Sequence, residues 1–243
     1  MNGIANEFLK LRTIRSPWLL LAAGQLVVIA GASGMFVSGA DLADPKTPLR
    51  AVAHAGLVSI FSLILGIVGM AGEYRHKTVT DTFLGTPRRG RVVTDKLVVY
   101  AGAGAVIGLV SAVVATAVTA LWMSAKGSSL DLSDPAVWRT LVGCVVWNAC
   151  FGAIGVGLGA LIRNVVGAVA VALAWIALVE GIVSQLLGDV GKWLPLASGV
   201  SLEDIPATNV EQLRPWAGGL VLATYAIVFA VVAVSTTVRR DVS

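Results

Sequence analysis

The chain has 243 residues, of which 56% are hydrophobic and only 13% charged, with a formal net charge of +4. Soluble domains average about 25% charged residues, so this composition excludes an ordinary soluble domain and points to a membrane protein. The basic residues lie between apolar runs and do not gather on one folded face, which leaves no nucleic-acid footprint.

The N-terminal "MNGIANEFLKLRTIRSPW" places Ile4, Phe8 and Leu11 on one helical stripe, with Glu7 and Lys10 off it. Residues 1–16 therefore read as an amphipathic helix lying on the membrane surface. Ser16-Pro17 reads as a break, because the residue before a proline avoids helix.

Six charge-poor runs follow, each long enough to cross the roughly 30 Å hydrocarbon core as a helix of about 20 residues. They are Pro17–Ala40, Ala53–Gly72, Leu97–Met123, Val137–Leu161, Val165–Leu187 and Trp216–Val238. The expected fold is all-α, a single transmembrane domain of six helices. The short alternating segments of a transmembrane β-barrel are missing from the sequence. The first run exceeds the about 7–15 residues of a signal-peptide core and reads as a retained span.

Between the spans, Ser133-Asp134-Pro135 marks a helix start, and "IRN" joins spans four and five as a tight hairpin. Residues 188–215 contain "KWLPLASGVSL", amphiphilic enough to re-enter the outer leaflet or fold back on the spans. Gly155 and Gly159 have the small-xxx-small spacing that lets helices approach closely. Cys144 and Cys150, on one predicted span, face different ways and read as small apolar residues rather than a disulfide.

With the N-terminus inside, the inner segments hold Lys10, Arg12, Arg15, Arg75, Lys77, Arg88, Arg89, Arg91, Lys96, Arg163, Arg239 and Arg240. The outer ones hold only Lys46, Arg50, Lys126, Arg139, Lys192 and Arg214. The positive-inside rule then predicts cytoplasmic termini.

The cytoplasmic segment 73–96 is the most charged in the chain. Glu73 with Lys77 and Lys77 with Asp81 are i,i+4 opposite-charge pairs that suit an exposed helix. Tyr74, Val79, Thr82 and Phe83 give it an interrupted apolar stripe, and Gly85 and Pro87 end it. A helix carrying both charge signs and a weak apolar stripe suits docking on a protein.

No catalytic constellation emerges. The only histidines, His54 and His76, fall on opposite sides of the membrane in this topology, and no cluster has metal-ligand spacing. "GDVGKW" has Leu186 and Trp193 where a phosphate-binding loop needs glycine and a hydroxyl. The chain reads as no enzyme, with no cofactor of its own; if ATP drives it, another polypeptide binds the nucleotide. Glu180 is the only acid within a span, where a charge costs a few kcal/mol or more unless it meets a cavity or partner. With Ser184 and Gln185 it makes a polar patch, open to a substrate or gating role and equally to a helix–helix contact.

"NEFLKLRTIRSPW", "EYRHKTVTDTFLGTPRRGRVVTDKL", "GVGLGALIRNVVGAVAVALAW" and "KWLPLASGVSL" together resemble, in order and topology, the type-2 permease family of ABC transporters. The resemblance implies a dimer of six-span subunits, the second a copy or a paralogue, in a bacterial plasma membrane. Two separate ATPase subunits would carry ATP and Mg. Glu73, Tyr74, Arg75, His76, Lys77, Thr78, Val79, Asp81, Thr82 and Phe83 would form a coupling helix seated on the ATPase. Spans one, two and five would line the pathway, with Gln25, Met35, Phe36, Ser59, Ser62, Glu180 and Gln185 as candidates from position and polarity. The implied activity is efflux of an amphiphilic compound, whether drug, antibiotic, peptide or lipid-like, serving multidrug resistance or export of a self-made product. Two other readings stand beside it. One is a non-ATP scaffold or sensor docking a partner through Glu73–Phe83. The other is a secondary transporter using Glu180, though the sequence shows no internal repeat by eye.

Overall fold

The computed structural model describes residues 3–75, 89–205 and 211–239, with backbone alone at 89, 188 and 236–239. Every regular element among them is helical. Six helices are long and apolar enough to cross a membrane: Arg15–Val37, Thr47–Arg75, Gly90–Ala125, Pro135–Ile162, Val165–Leu186 and Pro215–Ser235. The chain is a multi-pass membrane protein, with the N-terminal helix and the last helix's C-terminal end on the same side.

The first helix, α1, runs Gly3–Thr13, and α2 runs Arg15–Val37. The break between them is at Ile14 (φ −86°, ψ 143°) rather than at Ser16-Pro17. Pro17 falls in the first turn of α2, where a backbone N–H has no intrahelical acceptor to lose.

The second span begins at Thr47, earlier than the apolar run that announces it, and is built in three pieces: α3 (Thr47–Val52), α4 (His54–Leu57) and α5 (Ser59–Arg75). The third span, α6 (Arg89–Ala125), is 37 residues long. At 1.5 Å per residue it measures about 56 Å, well beyond the hydrocarbon thickness. The basic stretch Arg89–Lys96 thus forms the first two turns of the helix.

Asp134 caps α7 (Pro135–Ile162) by accepting from the Ala136 N–H at 2.8 Å. That helix ends at Arg163 in the left-handed region (φ 55°), and Asn164 caps α8 (Val165–Ala174) by accepting from the Gly167 N–H at 2.9 Å. The hairpin read from "IRN" is therefore a two-residue turn. The fifth span continues through a π-helical turn, Trp175–Glu180, into α9 (Gly181–Leu186). Short helices α10 (Gly188–Gly191) and α11 (Pro195–Ser201) precede α12 (Pro215–Arg239).

The second and fourth spans are the most buried and form the axis of the bundle. Glycines make this possible. A Cβ on Gly66 would collide with the Gly152 carbonyl, one on Gly155 with the Leu63 carbonyl, and one on Gly159 would crowd the Ile67 carbonyl. Close backbone approach of this kind replaces the hydrophobic drive that lipid cannot supply between helices. At the same seam Ser62 donates to Asn148 Oδ1 at 2.8 Å, and Asn148 Nδ2 donates to the carbonyls of Ala55 at 3.2 Å and Cys144 at 2.9 Å. α11 folds back on the spans, with Ser198, Gly199 and Ser201 buried.

Candidate functional site

At the end of the bundle that carries the termini, four charged side chains from three helices meet. Lys96, in the second turn of α6, is fully buried (0% exposed), beside Glu7 of α1 (4%) and Glu73 of α5 (8%). Its Nζ donates to Glu7 Oε2 at 2.6 Å, Glu73 Oε1 at 2.8 Å and the Gly69 carbonyl at 3.1 Å. An ammonium has three N–H bonds, and each has an acceptor. Lys10 closes the cluster, donating to Glu7 Oε1 at 2.7 Å and Glu73 Oε1 at 2.6 Å. Half-burial pulls the Lys10 pKa down, but the hydrogen bonds and charges of Glu7 and Glu73 outweigh it and the net shift is upward. Two acids and two lysines leave the cluster neutral, the condition under which buried charges are tolerable. The Tyr100 ring lies 6.0 Å from the Lys96 ammonium.

The cluster explains how α1 sits. Glu7 points into the protein while Ile4 and Phe8 (57% exposed) face away from it, and Leu11 packs on the core. The stripe read from sequence thus splits between protein and surroundings. At the residue after Glu73, the Tyr74 ring packs 5.0 Å from the Arg163 guanidinium, tying the end of α5 to the turn between α7 and α8. Arg75, the last residue of α5, is exposed. Residues 76–88 join α5 to α6, so a load on that segment acts on two stems already bolted to each other and to α1. His76, Lys77, Thr78, Val79, Asp81, Thr82 and Phe83 lie outside the described residues.

A second feature lies toward the other end. An apolar cavity of about 250 Å³ opens between α5, α7, the fifth span, α11 and α12. Leu63, Phe151, Ile154, Val171, Ala172, Trp175, Tyr225 and Phe229 line it, and Glu180 is its one charged residue. Glu180 closes the π-helical turn and is only 3% exposed. Its Oε2 accepts from the Leu196 N–H at 2.9 Å, a first-turn donor of α11 that has no partner within its own helix. Trp175 lies beside the same carboxylate. Oε1 has no hydrogen-bond partner.

The other pathway candidates do not join Glu180. Gln25 donates to Ser111 Oγ at 3.0 Å between α2 and α6. Phe36 stacks on Trp122 with ring centroids 6.3 Å apart, and Met35 packs beside it. Ser59 is fully buried and Ser62 is engaged with Asn148. Gln185 is exposed. Of the seven, Glu180 is the one that lines the cavity. The segment Gly188–Trp193 includes the short helix α10, and Lys192 pairs with Glu211 at 2.8 Å and Asp189 at 3.4 Å. Among the described residues, no group of three or more His, Cys, Asp or Glu could hold a metal ion.

Sequence reading picked out Glu73 but missed its partners. The available signal was that Glu7, Lys10 and Lys96 each carry charge at the margin of an apolar run, where a charge needs company. A scan against protein-family models finds no match to the chain, and a search of curated proteins finds none.

Proposed function

We propose that the chain is the membrane-spanning subunit of an ATP-driven exporter of the ABC type, moving an amphiphilic compound out of the cell with ATP bound and hydrolysed by a separate subunit. The observation that carries this reading is the buried cluster of Glu7, Lys10, Glu73 and Lys96. It joins α1, α5 and α6 where the charged segment 76–88 leaves and re-enters the bundle. A partner pressing on that segment would move spans two and three and the N-terminal helix together. The sequence resemblance supports an ATPase as that partner, and the excess of Lys and Arg supports placing this end in the cytoplasm.

The test separates docking from folding. Glu73 is unsuitable, because reversing a buried charge disturbs the cluster itself. Arg75 is exposed, so Arg75→Glu should leave the fold intact, weaken co-purification with an ATPase encoded beside this chain, and reduce ATP-driven efflux in vesicles. Unchanged ATPase retention and transport in Arg75→Glu would sink the coupling role.

A further inference from the structure

We propose that the junction of α1 and α2 is a binding site for an anionic phospholipid, whose headgroup pairs with Arg12 and Arg15 and whose acyl chains lie along Trp18 and Leu19. The proposal is independent of the export reading, because its ligand belongs to the membrane and is neither a protein partner nor a transported compound.

Three observations converge. The first is the apolar surface. Ile4, Phe8 and Leu9 of α1, Ile14 between the helices, and Trp18 and Leu19 of α2 are all exposed. α2 is a spanning helix, so Trp18 and Leu19 at its start meet lipid near the edge of the hydrocarbon. The exposed face of α1 continues that lipid-facing surface, with only Ile14 between the two helices. The second is charge. Arg12 and Arg15, on either side of Ile14, are exposed, and neither forms an ion pair among the described residues. No acid of these helices competes for them. Glu7 is the only acid of α1 and is turned inward to Lys10 and Lys96, and α2 has none. The outward surface therefore sets two free guanidinium groups beside apolar side chains, the complement of an acidic headgroup on its acyl chains. The third is position. Trp18 Nε1 donates to the Arg12 carbonyl at 3.4 Å, which holds the indole against the last turn of α1. Tryptophan is favoured at headgroup depth, where one part of the ring is wet and the rest apolar. The opposite face of α1 is fixed on protein by Glu7, by Lys10 and by the contact of Gly3 with Asp95. The basic pair is thus presented at a set place, and a lipid there fastens α1 from outside as the cluster does from inside. An acidic protein segment could pair with the arginines, but it would also have to displace lipid from Trp18 and Leu19.

The experiment reads Trp18 fluorescence in the full chain, in phosphatidylcholine nanodiscs doped with dibrominated phosphatidylglycerol or dibrominated phosphatidylcholine. Subtracting the signal of Trp18→Phe isolates this indole from the rest of the seven tryptophans. In the wild type at low salt, the anionic lipid should quench Trp18 at a mole fraction roughly 10–30-fold lower than the neutral lipid, as two basic residues at the surface imply. Arg12→Gln combined with Arg15→Gln should bring that ratio close to one and leave the melting temperature in neutral detergent unchanged. Arg91→Gln removes an exposed charge from the start of α6, at the same end of the bundle, and should leave the ratio as in the wild type. Equal quenching by the two lipids overturns the proposal, as does a ratio that survives in the double variant. An equal loss in Arg91→Gln overturns it too, since a diffuse basic surface would then suffice. Trp18 quenched by neither lipid would mean that protein covers the junction, and also overturns it. Should the double variant fail to fold, the wild-type ratio should still fall toward one as salt rises from about 0.05 M to about 1 M; a ratio indifferent to salt overturns the proposal.

Discussion

At the scale of single residues, Lys96 matters most. Its charge has no route to water, and its three acceptors exist because α1 and α5 bring two carboxylates and a carbonyl to it. Removing one partner of a buried pair costs roughly 3–5 kcal/mol, because the remaining charge stays buried. Lys96→Met should therefore lower the melting temperature in detergent sharply. Combining it with Glu7→Gln and Glu73→Gln should recover most of the loss. A single variant that melts with the wild type would mean that water reaches the cluster. Glu203 gives a pH prediction. Its carboxyl packs against Gly56, and burial pushes it up to about 8. The folded protein thus keeps a proton that the unfolded chain releases near an ordinary carboxyl value of about 4.3. That contribution to stability is complete below the lower value and lost as pH rises through about 8. Melting temperature should fall between pH 5 and pH 8, and Glu203→Gln should flatten the slope. Neither role was legible in sequence. Glu73 was read with Lys77, four residues on, because local pairs are all that helical spacing shows. Its partner Lys96 lies across the charged segment, and Glu7 lies on another helix.

The elements themselves were far more legible, for a simple reason. Crossing hydrocarbon demands long apolar runs, and hydropathy reads that demand directly. What it could not read were the ends and the interruptions. The second span starts at Thr47, among polar residues, because Pro48 sits comfortably in a first turn. The third starts at Arg89, because a helix projecting past the bilayer tolerates charge. The π-helical turn at Trp175–Glu180 leaves no mark in the hydropathy beyond the one acid that ends it, Glu180. The packing glycines were half legible: the spacing of Gly155 and Gly159 named the surface, but not that Gly66 of the second span meets it. The seam can be tested with one chemistry at two places. Gly155→Ala puts a methyl against the Leu63 carbonyl, whereas Gly102 has nothing within 4 Å of a new Cβ. Gly155→Ala should destabilise by about 1–3 kcal/mol, as overpacking does. Gly102→Ala should be neutral or stabilise by roughly 0.5–1 kcal/mol, through helix propensity alone. Heating detergent-solubilised protein and quantifying the monodisperse fraction reads both. Equal behaviour would mean that spans two and four can separate without loss.

At the scale of the whole molecule, hydropathy counts the spans but does not say which are neighbours or which move together. The structure has a central pair, spans two and four, closed by backbone contact, and a peripheral set, spans one, five and six, whose apolar surface mostly faces outward. α1 is bound by charge to the ends of spans two and three, and only Ile14 separates it from span one. It can therefore pass motion from the ends of spans two and three to span one, provided it travels with α6 as one piece. A crosslink asks that directly. A Cβ on Gly3 would lie 3.6 Å from the Asp95 Cβ, within the about 3.5–4.5 Å spacing of a disulfide. Gly3→Cys with Asp95→Cys should oxidise readily. Cys144 and Cys150 should not compete, since both sit within α7. In the isolated chain the crosslink should raise the melting temperature. In vesicles with the ATPase of the proposed exporter, export should proceed at the rate of the reduced protein while the bond is closed, because the buried cluster already makes α1, α5 and α6 move together. Export that stops on oxidation and returns on reduction would show instead that α1 shifts against α6, and the cluster would then be a joint that opens during transport rather than a rigid tie.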